Sequence, residues 1–143
     1  MGVLTDLIIA DESQAEAVCK TIVPSETWPG IDAKGIDQVI LGMLLSIITN
    51  QPYQNSMVDE FDLLYEGSDD GPWVYRIPDR LVVPLAELAG EAFEGTAQKW
   101  SQIDEFAPDR WQLQDVSTVL REICDLARQA REQKKALLMW ICV

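Results

Sequence analysis

The last eight residues, Ala136-Leu137-Leu138-Met139-Trp140-Ile141-Cys142-Val143, are all apolar. A run of that length has no polar face, so it suits a strand covered on both sides, deep in a sheet. The other end of the chain carries a second, largely apolar run, Val3-Leu4-Thr5-Asp6-Leu7-Ile8-Ile9-Ala10. Two such ends are most economically buried side by side in one sheet. The pairing of the termini is the first expectation for the fold.

The intervening residues read mainly as helices. Asp11 offers an N-cap, with Gln14 three residues on as in a capping box, and a helix to about Thr21 would bury Ala15, Val18, Cys19 and Ile22. Asp37 offers another cap. Behind it, Ile36, Val39, Ile40, Met43, Leu44 and Ile47 follow one helix face, with Leu41, Leu45 and Ile48 apolar off that stripe. This predicts a central buried helix, ending before Pro52 and packed over the terminal strands.

Asp59 to Glu66 and Pro72 to Pro78 flank a Gly- and Asp-bearing turn and read as a β-hairpin. Asp79 to about Phe106 reads as two helical pieces divided near Gly90, and Leu113 to Gln133 as a last amphipathic helix. The order β-α-α-β-β-α-α-α-β predicts an α+β class in one domain, residues 1–143. Its mixed sheet has about four strands (N-terminal strand, central hairpin, C-terminal strand) and is packed with four to five helices.

The segment Trp28-Pro29-Gly30-Ile31-Asp32-Ala33-Lys34-Gly35-Ile36-Asp37 leads to Leu44-Leu45-Ser46-Ile47-Ile48-Thr49. With the ending Arg128-Gln129-Ala130-Arg131-Glu132-Gln133-Lys134-Lys135-Ala136-Leu137-Leu138, it resembles uncharacterised bacterial proteins of similar length, nearest the YfbM-like group. The shared features are an acidic-capped helix and a final helix running into an apolar strand. They cover about a third of the chain and include no catalytic signature. The resemblance implies a bacterial, cytoplasmic α+β protein and transfers no site.

Charge narrows the partners. With 24 acidic against 11 basic residues the formal net charge is -13, which repels nucleic-acid phosphates and favours basic proteins, besides aiding solubility. Between Lys34 and Arg76 stand seven acids (Asp37, Asp59, Glu60, Asp62, Glu66, Asp69 and Asp70) and no base. No leader peptide is visible, and Met1-Gly2 is followed by Asp6 where an acylation signal needs Ser or Thr. The longest apolar run is too short for a bilayer, so no membrane partner is expected and the cytoplasm is the expected compartment.

The chemistry is bounded chiefly by absence. The sequence contains no histidine, which removes Ser-His-Asp and Cys-His nucleophile pairs and imidazole zinc sites. Its three cysteines cannot make a Cys₄ site and are too far apart for a redox motif. No glycine-rich phosphate loop is present. No cofactor or metal is therefore expected, and an enzyme is disfavoured.

The expectation is a non-enzymatic interaction module, of inhibitor or immunity type, whose acidic surface binds a basic protein. The alternative is a small enzyme or ligand-binding domain with a carboxylate-lined pocket near Trp28 to Asp37. Candidate binding residues are Trp28, Asp32, Lys34, Asp37, Asp59, Glu60, Asp62 and Trp73. Asp59, Glu60 and Asp62 are expected on one hairpin strand, where residues two apart share a face. Each candidate also has a structural reading: tryptophan covering the core, aspartate capping a helix, carboxylates in water.

Overall fold

The computed structural model describes residues 3–143; Met1 and Gly2, and with them the acylation reading, lie outside the described residues. The chain is of the α+β class. Strand β1 (Leu4–Ala10) and strand β5 (Ala136–Cys142) pair antiparallel along their full seven residues, from Leu4 opposite Cys142 to Ala10 opposite Ala136. The two apolar chain ends thus form the middle of the sheet.

Strand β2 (Gly30–Asp32) adds to the outer side of β1. The hairpin of β3 (Asp62–Glu66) and β4 (Trp73–Arg76) adds to β5 through β4. The sheet order is β2-β1-β5-β4-β3, and every pairing is antiparallel. The sheet thus has five strands rather than about four, and it is antiparallel rather than mixed. A three-residue strand is too short to show alternation. Strand direction, moreover, is set by the path of the connections, which residue periodicity does not encode.

Alternation along β1 and β5 divides the core in two. Leu7, Ile9, Leu137 and Met139 face the thick helical layer, whereas Ile8, Ala10, Leu138 and Trp140 face a smaller cluster. That second face is covered by α1 (Ala15–Cys19) through Ala15, Val18 and Cys19, with Trp28 packed alongside. Helix α1 is shorter than its pattern suggests. Thr21 turns its hydroxyl back to the carbonyl of Ala17, Pro24 follows closely, and Ile22 is left 86% exposed instead of buried.

The helical layer holds α2 (Gln38–Thr49), α3 (Asp79–Glu87), α4 (Gly90–Ser101) and α5 (Leu113–Gln133). Helix α5 lies directly on β1 and β5, burying a stripe that runs from Val116 through Leu120, Ile123 and Ala127 to Ala130. This corrects the expectation that the helix capped by Asp37 would cover the terminal strands. Helix α2 instead packs chiefly against α4 and the 3-10 turn Asn55–Glu60, and also against α3. The physical reason lies in their faces: α5 has one apolar stripe suited to a sheet, while α2 is apolar nearly all round and is surrounded by other helices. Trp100 of α4 is fully buried there and donates its indole N–H to the carbonyl of Ile40, 3.1 Å away.

Gly30 fixes how closely β2 approaches β1. A Cβ at this position would collide with the carbonyl oxygen of Leu7 and stand 2.7 Å from Cγ2 of Ile8. The backbone at these positions belongs to the sheet and has little room to retreat. Gly30→Ala should therefore lower stability by about 1–3 kcal/mol, the usual cost of overpacking. Urea denaturation checks this, and an unchanged midpoint would refute the close approach of β2.

Candidate functional site

The two ends of the sheet differ in what flanks them. Beside β2 a cleft of about 540 Å³ opens between the strand and the first half of α5. Its strand side is Asp32, Ala33 and Lys34. Its helix side is Gln114, Asp115, Thr118, Val119 and Glu122, and Asp109 and Trp111 close the end before the helix begins. Ala33 and Val119 form a buried apolar floor beneath a polar rim.

The rim is built by ordinary local rules. Asp32 accepts a hydrogen bond from the backbone N–H of Lys34 at 2.9 Å, which closes the turn after β2. Asp115 accepts from the N–H of Gln112 at 2.9 Å as one half of a capping box on α5. Trp111 stacks on Phe106 with ring centroids 5.0 Å apart, and Phe106 meets Trp100 edge-on at 5.3 Å, so the indole at the cleft is anchored to the core. Thr118 is committed to the carbonyl of Gln114.

Asp109 and Glu122 have no hydrogen bond or ion pair among the described residues. Four carboxylates (Asp32, Asp109, Asp115 and Glu122) thus face one ammonium, Lys34, across a concave surface. Concavity and an apolar floor concentrate such a field, and a cation entering the cleft gains from all four.

The other sequence candidates are placed elsewhere. Asp37 is the N-cap of α2 and accepts from the N–H of Ile40 at 2.9 Å. Trp28 is half-buried against the smaller cluster on the opposite sheet face. Asp59 and Glu60 do not lie on the hairpin strand. They end a 3-10 turn, Asn55–Glu60, and β3 begins only at Asp62, so the three acids share no strand face. Phe61, buried between them, is where the chain changes direction. Trp73 sits in β4 opposite Glu66 and Ile141 and is half-buried.

Of the acids near the hairpin, Glu60 acquires a counter-charge. Arg80 approaches Glu60 at 3.5 Å, and Arg76, opposite Asp62 in the ladder, pairs with Glu12 and Asp79. Asp32 and Lys34 are the two sequence candidates that the structure brings into the cleft. Asp109, Trp111, Asp115 and Glu122 had no sequence signal as a set, because they lie some eighty residues downstream and only the β2–α5 packing unites them.

No nucleophile is presented at the cleft. Cys19 and Cys124 are buried, and burial raises both thiols; that of Cys124 is pushed up to about 11. Among the described residues no group of three or more Cys, Asp or Glu side chains is arranged to hold a metal ion, and no helix is long and apolar enough to cross a membrane. No family model matches the chain, and no curated protein or solved structure matches it.

Two measurements check these placements. Asp37→Ala should cost about 1 kcal/mol of stability, the ordinary value of an N-cap, and an effect near zero would deny the cap. In the folded chain at pH 8, a thiol reagent should label Cys142, which is partly exposed, well before Cys19 and Cys124. Equal labelling rates for the three would contradict their burial. For Cys124 the linkage sign follows from its raised folded pKa: its contribution to stability is fully present below the unfolded value near 9 and is lost as pH rises through about 11.

Proposed function

We propose that the chain is a non-enzymatic interaction module that binds a basic segment of a partner protein in the cleft between β2 and α5. The observation that carries this reading is the rim: four carboxylates, two of them unpaired, around a concave apolar floor with a single lysine. The flat face of Trp111, held by its stack on Phe106, adds a surface over which a lysine or arginine can lie. The overall charge of -13 steers such a partner toward the molecule.

The cleft supports binding better than catalysis. It holds no histidine or cysteine, and its one hydroxyl, on Thr118, is bonded to the helix backbone. The acids by the hairpin are a weaker site for the same partner, since Glu60 already meets Arg80, and Asp59 and Glu60 share no strand face with Asp62.

The test uses a short fluorescein-labelled peptide of alternating lysine and valine, followed by fluorescence anisotropy at low salt. Wild-type protein should bind it. Asp109→Asn with Glu122→Gln should weaken binding by about tenfold, equivalent to about 1.4 kcal/mol, whereas Asp59→Asn with Asp62→Asn should leave it nearly unchanged. Absence of binding, or equal losses in the two double variants, overturns the reading. So does competition by free spermine at concentrations matching the peptide, which would make the cleft a site for small cations.

A further inference from the structure

The cleft runs along an open sheet edge, and this suggests how a basic segment would sit in it. In the β1–β2 pair the odd-numbered residues of the outer strand face inward: the N–H of Ile9 donates to the carbonyl of Pro29, and the N–H of Ala33 donates to the carbonyl of Thr5, each at 2.8 Å. By the alternation of an antiparallel ladder, the N–H and C=O groups of Gly30 and Asp32 face outward. No hydrogen bond among the described residues uses them. The N–H of Lys34, next in the outward series, is taken by the side chain of Asp32, which marks where the open edge stops.

The concave surface continues along this edge. A second recess of about 250 Å³ adjoins the first through Glu122 and is lined by Gly30 and Ile31 on the strand side and by Asp125, Leu126 and Gln129 of α5. Strand edge and helix therefore form the two walls of one groove, with backbone hydrogen-bonding groups on one wall and carboxylates on the other.

We infer that the partner's basic segment binds extended in this groove, as a sixth strand added to the outer edge of β2 with its basic side chains reaching the carboxylates of α5. The inference deepens the proposed function and rests on it. An added strand places every second side chain on the same face, at intervals of about 7 Å. A segment with lysine or arginine at alternate positions would thus set successive cations toward Asp115 and Glu122, whereas Asp125 already pairs with Arg128. Main-chain bonding to Gly30 and Asp32 supplies register without requiring one particular sequence.

Charge selects this occupant over a second copy of the chain. Two copies joined through β2 would bring two acidic rims together, which repel. The opposite sheet edge is a poorer template, because β3 carries a register irregularity between Leu63 and Tyr65 that interrupts its ladder.

The test is amide hydrogen exchange followed by NMR, on the full chain, free and saturated with the same lysine–valine peptide. The N–H groups of Gly30 and Asp32 should exchange quickly in the free protein and slow by about tenfold or more when the peptide is bound. A version of the peptide N-methylated at every residue, equal in charge but unable to pair, should bind about tenfold more weakly, the loss expected for one or two hydrogen bonds. Binding of the peptide with no protection at Gly30 and Asp32, or equal affinity for the methylated peptide, overturns strand addition and leaves the acidic-cleft reading standing. No binding of either peptide overturns both. Protection of these amides in the free protein that rises with protein concentration would put a second copy on the edge, and would also overturn the inference.

Discussion

The pairing of β1 with β5 determines where everything else can go. Seven consecutive residue pairs join the two chain ends, and nearly all their side chains are buried on one face of the sheet or the other. Two of the buried residues are polar. Thr5 and Asp6 are both buried, but Thr5 donates to the carbonyl of Ile36 at 2.6 Å and Asp6, 6% exposed, accepts from the N–H of Ser25 at 2.8 Å. Polar groups are tolerated in this central pair where the connection from β1 to α2 brings them a partner, and the cost of desolvation is then largely offset. The indole N–H of Trp140, beside Asp6 in the ladder, is buried without such a partner. Because the termini take the middle of the sheet, interior segments must supply both edges.

How legible this was depended on whether a segment carries a period. The terminal strands, α5 and the hairpin turn announce themselves through apolar runs, a helical stripe and a Gly/Asp cluster, and all appear where those features stand. Strand β2 had no comparable signal. It comprises three residues after a proline, and it pairs because Gly30 lacks a side chain, not because apolar residues alternate. Asp59 and Glu60 were drawn into the hairpin by the apolar residues that follow them, while the local backbone turns at Phe61. The roles of α2 and α5 were exchanged for a related reason. An apolar helix reads as central, yet a sheet needs a helix with one broad apolar stripe, and that is α5.

The site was half legible. Trp28 to Asp37 stood out in composition, and Asp32 and Lys34 do reach the cleft, but Trp28 leaves for the other face of the sheet and Asp37 spends its carboxylate on a helix end. The tryptophan that belongs to the cleft is Trp111, oriented by Phe106 and through it by Trp100. Such a chain of aromatic contacts depends on the packing of α4 against α2 and α5, which no local pattern encodes. Charge misled in the opposite sense. Seven acids without a base in sequence read as an uncompensated surface, yet Glu60 among them meets Arg80, while Arg76 pairs outside the stretch with Glu12 and Asp79.

An exposed strand edge is ordinarily a hazard, because its free N–H and C=O groups will pair with any extended chain. Charges beside the edge are one way to manage it, and here they stand on the neighbouring helix rather than on the strand alone. That arrangement has a consequence for specificity. On the proposed reading, the rim of Asp109, Asp115 and Glu122 would discourage an edge belonging to another copy of this acidic chain and by the same field attract a basic one. On that reading, an arrangement that disfavours self-association would also select partners, without any added residue. Lys34 sharpens the choice. As the one cation on the rim, at the end of the open edge, it would, on the proposed reading, repel a basic side chain placed beside it and so bias the position of a bound segment along β2.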